Sequence, residues 1–437
     1  MPPFELTRRE WLGGAAALGT MAAFAPVTAA AQGRFAWPAI NSLLADYVDH
    51  GKVANLVASV GFSDRPTHVF ARGVDTLGQA RQSDGDSIYR IYSMTKPITG
   101  MAAMMLVDEG KLALDQPLYE ILPKFKSMQV QKVYDGPITP DNLEPAVRPI
   151  TIRQMLTHTA GLGYGIVQQG PIAKAFQDAG VVPGLVTRLQ NLPVFRGTAV
   201  PSLELFADRL AEFPLVYQPG TYWSYSMGLD LMGRVIEVVS GKTFDAFLQE
   251  RMFDPLGMVD THFRVPSSKA DRMTTSYYLM NGNLLPIDLG SDSIFFDPIP
   301  FPMGGSGLAS TPKDYDRFLE MLVGLGTYKG TRVMSEAAVR LGTSNLLPDT
   351  VRQKPGRQGL GLDLDIYGFG AGGRVGKGDD AGVYGWAGAA GTVGFADIAK
   401  GIRGGLFTQY MPSGAYPLIE QFPAAIRDDL ATFTGRA

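Results

Sequence analysis

Tyr92-Ser93-Met94-Thr95-Lys96, continued by the apolar run from Pro97 to Val107, is the stretch on which the fold turns. Ser93 and Lys96 stand three positions apart. On a helix both side chains therefore share one face, with Cβ atoms about 5 to 6 Å apart, within reach of an ammonium touching a hydroxyl. From Ile98 to Val107 only Thr99 and Gly100 interrupt the apolar character, which predicts a helix hydrophobic almost all round and hence buried. Desolvating a lysine at the start of such a helix is costly unless a partner or a reaction uses its charge. Two roles stay open for Lys96 on these residues alone: a reactive amine beside Ser93, or a snorkelling lysine on a capped core helix.

Spacing does not choose between them, because the chain holds a second copy, Ser310-Thr311-Pro312-Lys313. There a Ser/Thr cap precedes proline at the first helical position, Asp314 follows in the first turn, and Tyr315 to Leu322 is amphipathic. That is how an ordinary surface helix begins.

The 437 residues can form one large domain or two ordinary ones, and 45% hydrophobic, 19% charged and 10% aromatic content are those of a globular protein. A net charge of -3 without a block of like charges gives no reason to expect a nucleic-acid partner or an anionic membrane surface. With no cysteine, disulfides, thiol nucleophiles and thiolate metal sites are excluded together. The four histidines, His50, His68, His158 and His262, are scattered without metal-ligand spacing, so no metal is expected. No Gly-x-Ser-x-Gly occurs, which disfavours a Ser-His-Asp esterase.

Residues 1–31 read as an export signal. Arg8-Arg9 is a twin-arginine start, Leu12 to Pro26 is a small-residue apolar segment, and Ala29-Ala30-Ala31 offers a cleavage site. Export by the twin-arginine route, to the periplasm or beyond, is the expectation, with no span left after removal. Pro38 to Gly51 is spaced for an amphipathic helix, and Val53 to Phe62 and Thr67 to Val74 predict a hairpin across Ser63-Asp64-Arg65-Pro66. Helical patterns with proline-rich connections dominate the middle, most clearly Thr151 to His158 and Leu229 to Ser240. Gly391 to Ala396 and Gly404 to Gln409 are strand-like, and Tyr416 to Ala431 closes the chain as a helix. The expected architecture is α/β (α+β), an antiparallel sheet flanked by helices, with a sheet domain from 34–110 and 300–437 and a mainly helical domain, 111–299, inserted in it.

Four segments together resemble the serine β-lactamase and penicillin-binding-protein superfamily, and most closely the carboxylesterases related to class C β-lactamases (family VIII esterases). They are Tyr92-Ser93-Met94-Thr95-Lys96-Pro97, Leu156-Thr157-His158-Thr159-Ala160-Gly161-Leu162, Pro219-Gly220-Thr221-Tyr222-Trp223-Ser224-Tyr225-Ser226 and Gly385-Trp386-Ala387-Gly388-Ala389-Ala390-Gly391-Thr392. The class-A and penicillin-binding-protein form of the serine-lysine signature is a known pattern. The resemblance implies a crevice between the two domains, with Ser93, Lys96 and Tyr225 in mutual contact as the catalytic residues. It also implies an oxyanion hole made by the backbone N–H groups of Ser93 and Ala389. Serine needs an adjacent base, and both Lys96 and a phenol made more acidic by a neighbouring ammonium qualify. His158 fits the family's Leu-x-His-Thr segment, and a structural histidine bonded to backbone near a helix end is expected.

Two departures from the family bear on substrate. Where penicillin-recognising relatives carry a Lys-Thr-Gly triplet, this chain has Trp386-Ala387-Gly388, so the cation that meets a substrate carboxylate is replaced by an indole. Where they place asparagine in Tyr-x-Asn, it has Met227. Trp386, Ala387, Gly388 and Met227 are thus the expected substrate-binding positions, and the expected activity is hydrolysis of short- to medium-chain esters through an acyl-enzyme on Ser93. A β-lactamase, D-amino acid peptidase or acyltransferase with the same Ser-Lys-Tyr chemistry is the alternative. A catalytically silent cell-wall-binding homologue is the alternative of another class.

Overall fold

The computed structural model describes residues 36–192, 194, 197–352 and 362–434. The expected signal segment, 1–31, lies outside the described residues.

Proline at its first position pre-sets φ for helix α1 (Pro38–Val48), which buries Ile40, Leu44 and Tyr47. It has no capping side chain of its own. The N–H groups of Ala39 and Ile40 donate instead to the carboxylate of Asp429, at 2.8 and 3.0 Å, from near the other end of the chain. Strands β1 (Asn55–Phe62) and β2 (His68–Gly73) then form the expected antiparallel hairpin. Helix α2 (Thr95–Asp108) is buried from Thr95 to Leu106. The middle of the chain supplies, among other helices, α3 (Ile152–Leu156) and α4 (Gly228–Ser240). Thr151 and Gln154 form a reciprocal capping box on α3, and Gly241 in the left-handed region ends α4.

This middle portion is less purely helical than its sequence suggests. Within 111–299 lies a hairpin, β3 (Ser276–Met280) and β4 (Asn283–Asp288), turned by Asn281-Gly282 with φ of 51° and 79°. Positive φ at both central residues is what a tight hairpin turn needs, and Asn-Gly is the pair best able to adopt it.

After it come α5 (Pro312–Val323), the strands β5 (Tyr367–Phe369), β6 (Arg374–Gly376), β7 (Val383–Ala387), β8 (Val393–Asp397) and β9 (Ile402–Phe407), the short β10 (Tyr410–Met411) beside β3, and α6 (Leu418–Thr434). Seven strands make one antiparallel sheet in the order β5-β6-β7-β8-β9-β1-β2. The join between β9 and β1, with Val57 opposite Phe407, brings the two ends of the chain into one sheet. α1 and α6 cover one face through Ile40, Leu44, Phe422 and Ile426 on Val60, Phe395 and Leu406. On the other face lie α5 and α2. Because both faces are covered, β1 and β9 are buried almost throughout.

Helix α5 departs from expectation. Thr311 does cap it, accepting from the Asp314 N–H at 3.1 Å. It is no surface helix, however: Tyr315, Phe318, Leu319, Met321 and Leu322 are buried against the core. Even its acidic residue Asp316 is turned inward, onto the fully buried Arg403. No helix among the described residues is long and apolar enough to cross a membrane.

Candidate active site

The site begins where β-structure hands over to α2. Arg90, fully buried, anchors the approach: it pairs with Asp288 and donates to Thr274 O at 2.6 Å and Ser293 Oγ at 2.9 Å, so the β3-β4 region holds the strand in place. The chain then turns through a single 3-10 turn, Tyr92–Met94, and α2 starts only at Thr95. Ser93 therefore stands in the turn that leads into the helix, two residues before its first residue. Tyr92, the residue before it, has φ of 42°. A bulky side chain in the left-handed region costs energy and persists only where the surroundings impose it. Here the Ile91 N–H donates to Leu308 O and the Met94 N–H to Ile91 O, both at 3.0 Å, which fixes the turn on either side.

Ser93 is half-buried, while Lys96 has no exposed surface. The ammonium donates to Gly305 O at 2.7 Å and to Ser93 Oγ at 3.3 Å, and stands 4.5 Å from the centre of the Tyr225 ring. Tyr225, contributed by the segment leading into α4, brings its hydroxyl to 2.6 Å from Ser93 Oγ. Its ring is held by His158, Tyr164 and Trp386, at centroid distances of 4.8, 5.5 and 5.8 Å. Serine, lysine and tyrosine thus meet at one point although 132 residues separate Ser93 from Tyr225.

The four positions of the expected substrate-binding set are distributed unequally. Trp386, at the end of β7, is almost wholly buried and points its Nε1–H at the Tyr225 hydroxyl, 3.4 Å away. Ala387 is buried beside it. Gly388 is required by close approach, since a Cβ there would lie 2.5 Å from Ile91 O. The Gly388 N–H closes the β7-β8 turn on Thr392 O at 2.8 Å, which sets Ala389 at the turn, packed with Tyr92 in the same small apolar cluster. Met227 is fully buried at the N-cap of α4, its N–H donating to Gly163 O at 3.3 Å.

His158 follows α3 with φ of 56°, and its Nδ1 lies 3.2 Å from the backbone N–H of Ser226, which donates to it. Burial, reinforced by the charge on Lys96, holds this imidazole well below the usual histidine range, so it is neutral. It is a brace for the segment carrying Tyr225. Among the described residues no cluster of histidine and acidic side chains could hold a metal ion.

One residue near this site lies outside the expected set. Asp230, on the first turn of α4, has no exposed surface, and burial pushes its carboxyl up to about 6, against the lowering effect of Lys96. Its signal in the sequence is a lone charge inside the apolar run Leu229-Asp230-Leu231-Met232.

An antiparallel sheet with helices on both faces and a Ser-x-x-Lys turn meeting a tyrosine from the helical portion defines the serine β-lactamase and penicillin-binding-protein class. Residues 40–422 match the family model described as Beta-lactamase, and the chain belongs to that family. Protein Rv1367c of Mycobacterium tuberculosis is 35% identical over 361 residues, 79% of this chain and 82% of that protein. Esterase EstB of Burkholderia gladioli is 28% identical over 358 residues, 76% of this chain and 80% of that protein. The fold is also that of EstCE1, described as a hydrolase with promiscuous acyltransferase activity, with a TM-score of 0.70 at 23% identity, covering 90% of this chain and 97% of that one.

Proposed function

We propose that this protein is a serine carboxylesterase that hydrolyses short- to medium-chain esters through an acyl-enzyme on Ser93. Kinship with a protein named as an esterase supports an ester hydrolase of the serine type. The single observation that carries the acyl-enzyme is the Ser93 oxygen, within hydrogen-bond reach of both the Tyr225 hydroxyl (2.6 Å) and the Lys96 side-chain nitrogen (3.3 Å).

In the proposed reaction the Tyr225-Lys96 pair enters one proton short, as phenolate beside ammonium or as phenol beside free amine, and Ser93 Oγ bonds to the ester carbonyl carbon as its proton passes to that pair. Hydroxyl hydrogens rotate, so the short contact can carry a proton in either direction. The backbone N–H groups of Ser93 and Ala389 receive the carbonyl oxygen as it becomes an oxyanion, a contribution of about 2.7 to 4 kcal/mol per donor in comparable sites. The carbon–oxygen bond to the alcohol then breaks, and the alcohol leaves with the proton. Water, activated by the same pair, cleaves the acyl-enzyme and restores Ser93. Trp386-Ala387-Gly388 supplies no cation for a substrate carboxylate, which favours neutral, partly apolar esters over anionic lactams. Export by the twin-arginine route belongs to the same proposal.

A fluorophosphonate probe followed by mass spectrometry, run beside chromogenic short-chain esters and a chromogenic cephalosporin, tests it. Labelling at Ser93 with ester turnover is expected. An unlabelled Ser93, or rapid cephalosporin turnover without esterase activity, overturns it.

A further inference from the structure

Lys96 is held on one side by Ser93 and on the other by a carbonyl, Gly305 O at 2.7 Å. What fixes that carbonyl is Asp230. Its Oδ1 accepts from the Gly305 N–H at 2.8 Å, while Oδ2 is buried with no hydrogen-bond partner among the described residues. The packing is close enough that a Cβ on residue 305 would lie 2.4 Å from Oδ2, and one on residue 304 would lie 2.4 Å from Leu229 O. Glycine at both positions lets the loop seat directly on the first turn of α4, where the helix dipole favours an anion.

An unpaired oxygen of a fully buried carboxylate is expensive for stability alone. Of the charged groups on elements packed against α4, Arg153 turns outward to Asp115, Arg234 on α4 itself pairs with Glu204, and Asp245 is exposed. The charge that acts on Asp230 is Lys96.

We infer that Asp230 is a positioning residue for the reaction: through Gly305 it fixes the carbonyl that aims the Lys96 ammonium at Ser93, and it supplies the buried counter-charge to that ammonium. This rests on the esterase function proposed above. The negative charge is present only while Asp230 is ionised. Its carboxyl is pushed up to about 6, so kcat/KM falls as the pH drops through that value and the anion is lost.

The test is the pH profile of kcat/KM of the full chain on a chromogenic ester, for wild type, Asp230→Asn and Asp230→Ala, with Ser93 labelling by the fluorophosphonate run first on wild type. No labelling of wild type sinks the esterase reading, whatever Asp230 does. Given labelling, Asp230→Asn keeps the acceptor for the Gly305 N–H but not the charge. It is expected to lose about 10- to 100-fold in kcat at neutral pH with KM little changed, and to lose the acidic limb near 6. Asp230→Ala, which removes the charge together with the acceptor for the Gly305 N–H, is expected to show the same flattened limb if the asparagine variant does not fold. Either variant retaining the wild-type profile, or losing only thermal stability while the limb stays, overturns the inference.

Discussion

The chain contains the same four-residue pattern twice, and the two copies came to different ends. At Ser93-Lys96 the lysine is fully buried, its ammonium lies 3.3 Å from the serine, and a tyrosine from another part of the fold completes the group. At Ser310-Lys313 the serine bonds Thr261, the neighbouring threonine does the capping, and the lysine is half exposed, paired with Asp86 at 2.6 Å. Both lysines are associated with an aspartate. Lys313 meets its partner directly in water, where the pair is screened. Lys96 is linked to Asp230 only through the Gly305 backbone, in a dry interior where each charge acts strongly. Local spacing is therefore shared by a helix cap and a candidate reactive centre, and what separates them is burial together with groups that arrive from distant sequence.

The largest expected effects come from exchanging mutations between the copies. Ser93→Ala removes the proposed nucleophile and should reduce ester turnover by about 10³-fold or more. Ser310→Ala should leave turnover within about twofold and cost about 1 kcal/mol of stability through the lost hydrogen bond to Thr261. Lys96→Ala and Tyr225→Phe should each lose about 10² to 10⁴ in kcat. A Lys96→Ala enzyme with near-normal turnover would erase the distinction between the two lysines.

A smaller effect is expected at Trp386, whose contact with Tyr225 is long at 3.4 Å. Trp386→Phe keeps the aromatic packing and removes the donor. A loss of about 5- to 10-fold in kcat, with the fold intact, is what one weak hydrogen bond to the Tyr225 oxygen predicts. No loss would reduce the indole to packing alone.

Asp230 sharpens the contrast through stability rather than rate. Because burial raises its carboxyl to about 6, its contribution to stability is fully present below the unfolded-state value near 3.9 and is lost as pH rises through 6. Asp230→Asn removes that loss. Its melting temperature should match wild type near pH 4 and equal or exceed it at pH 7, with a gain on the order of 1 to 3 kcal/mol. A variant more stable yet slower is the expected signature of a charge kept for function. A melting temperature that falls at pH 7 would mean that the carboxylate stabilises the fold instead.

Much of this was legible in the sequence where the controlling physics is local. The apolar run after Lys96, the turn at Ser63-Asp64-Arg65-Pro66, the helical pattern from Thr151 and the cap at Thr311 each rest on residues within a few positions. The meeting of Ser93, Lys96 and Tyr225 was anticipated only through resemblance, since no local rule brings together groups this far apart along the chain. The β3-β4 hairpin carries a local mark, Asn281-Gly282, but that mark lies in a region dominated by helical patterns. Burial of α5 is illegible for another reason. Its pattern is amphipathic, and only the buried Arg403 turns one of its polar residues, Asp316, inward as well. Asp230 and Arg90 share one cue, a single charge inside apolar sequence.

The smallest effect belongs to Lys313, and it tests whether the second copy is independent of the first. The Lys313-Asp86 pair is exposed by 51% and 46% at its two side chains, so Lys313→Ala should cost no more than about 1 kcal/mol, and less still at high salt. Turnover should not change, because the lysine touches nothing at Ser93. The helix it begins, however, does reach the site: the Tyr315 hydroxyl donates to Met94 O at 3.1 Å, directly behind the turn that presents Ser93. If Lys313→Ala left stability unchanged but lowered kcat, the second Ser-x-x-Lys would have to act on the first through α5. The expected result, a slight salt-dependent loss of stability at constant kcat, keeps the copies separate and assigns the support of the Ser93 turn to Tyr315 rather than to the cap.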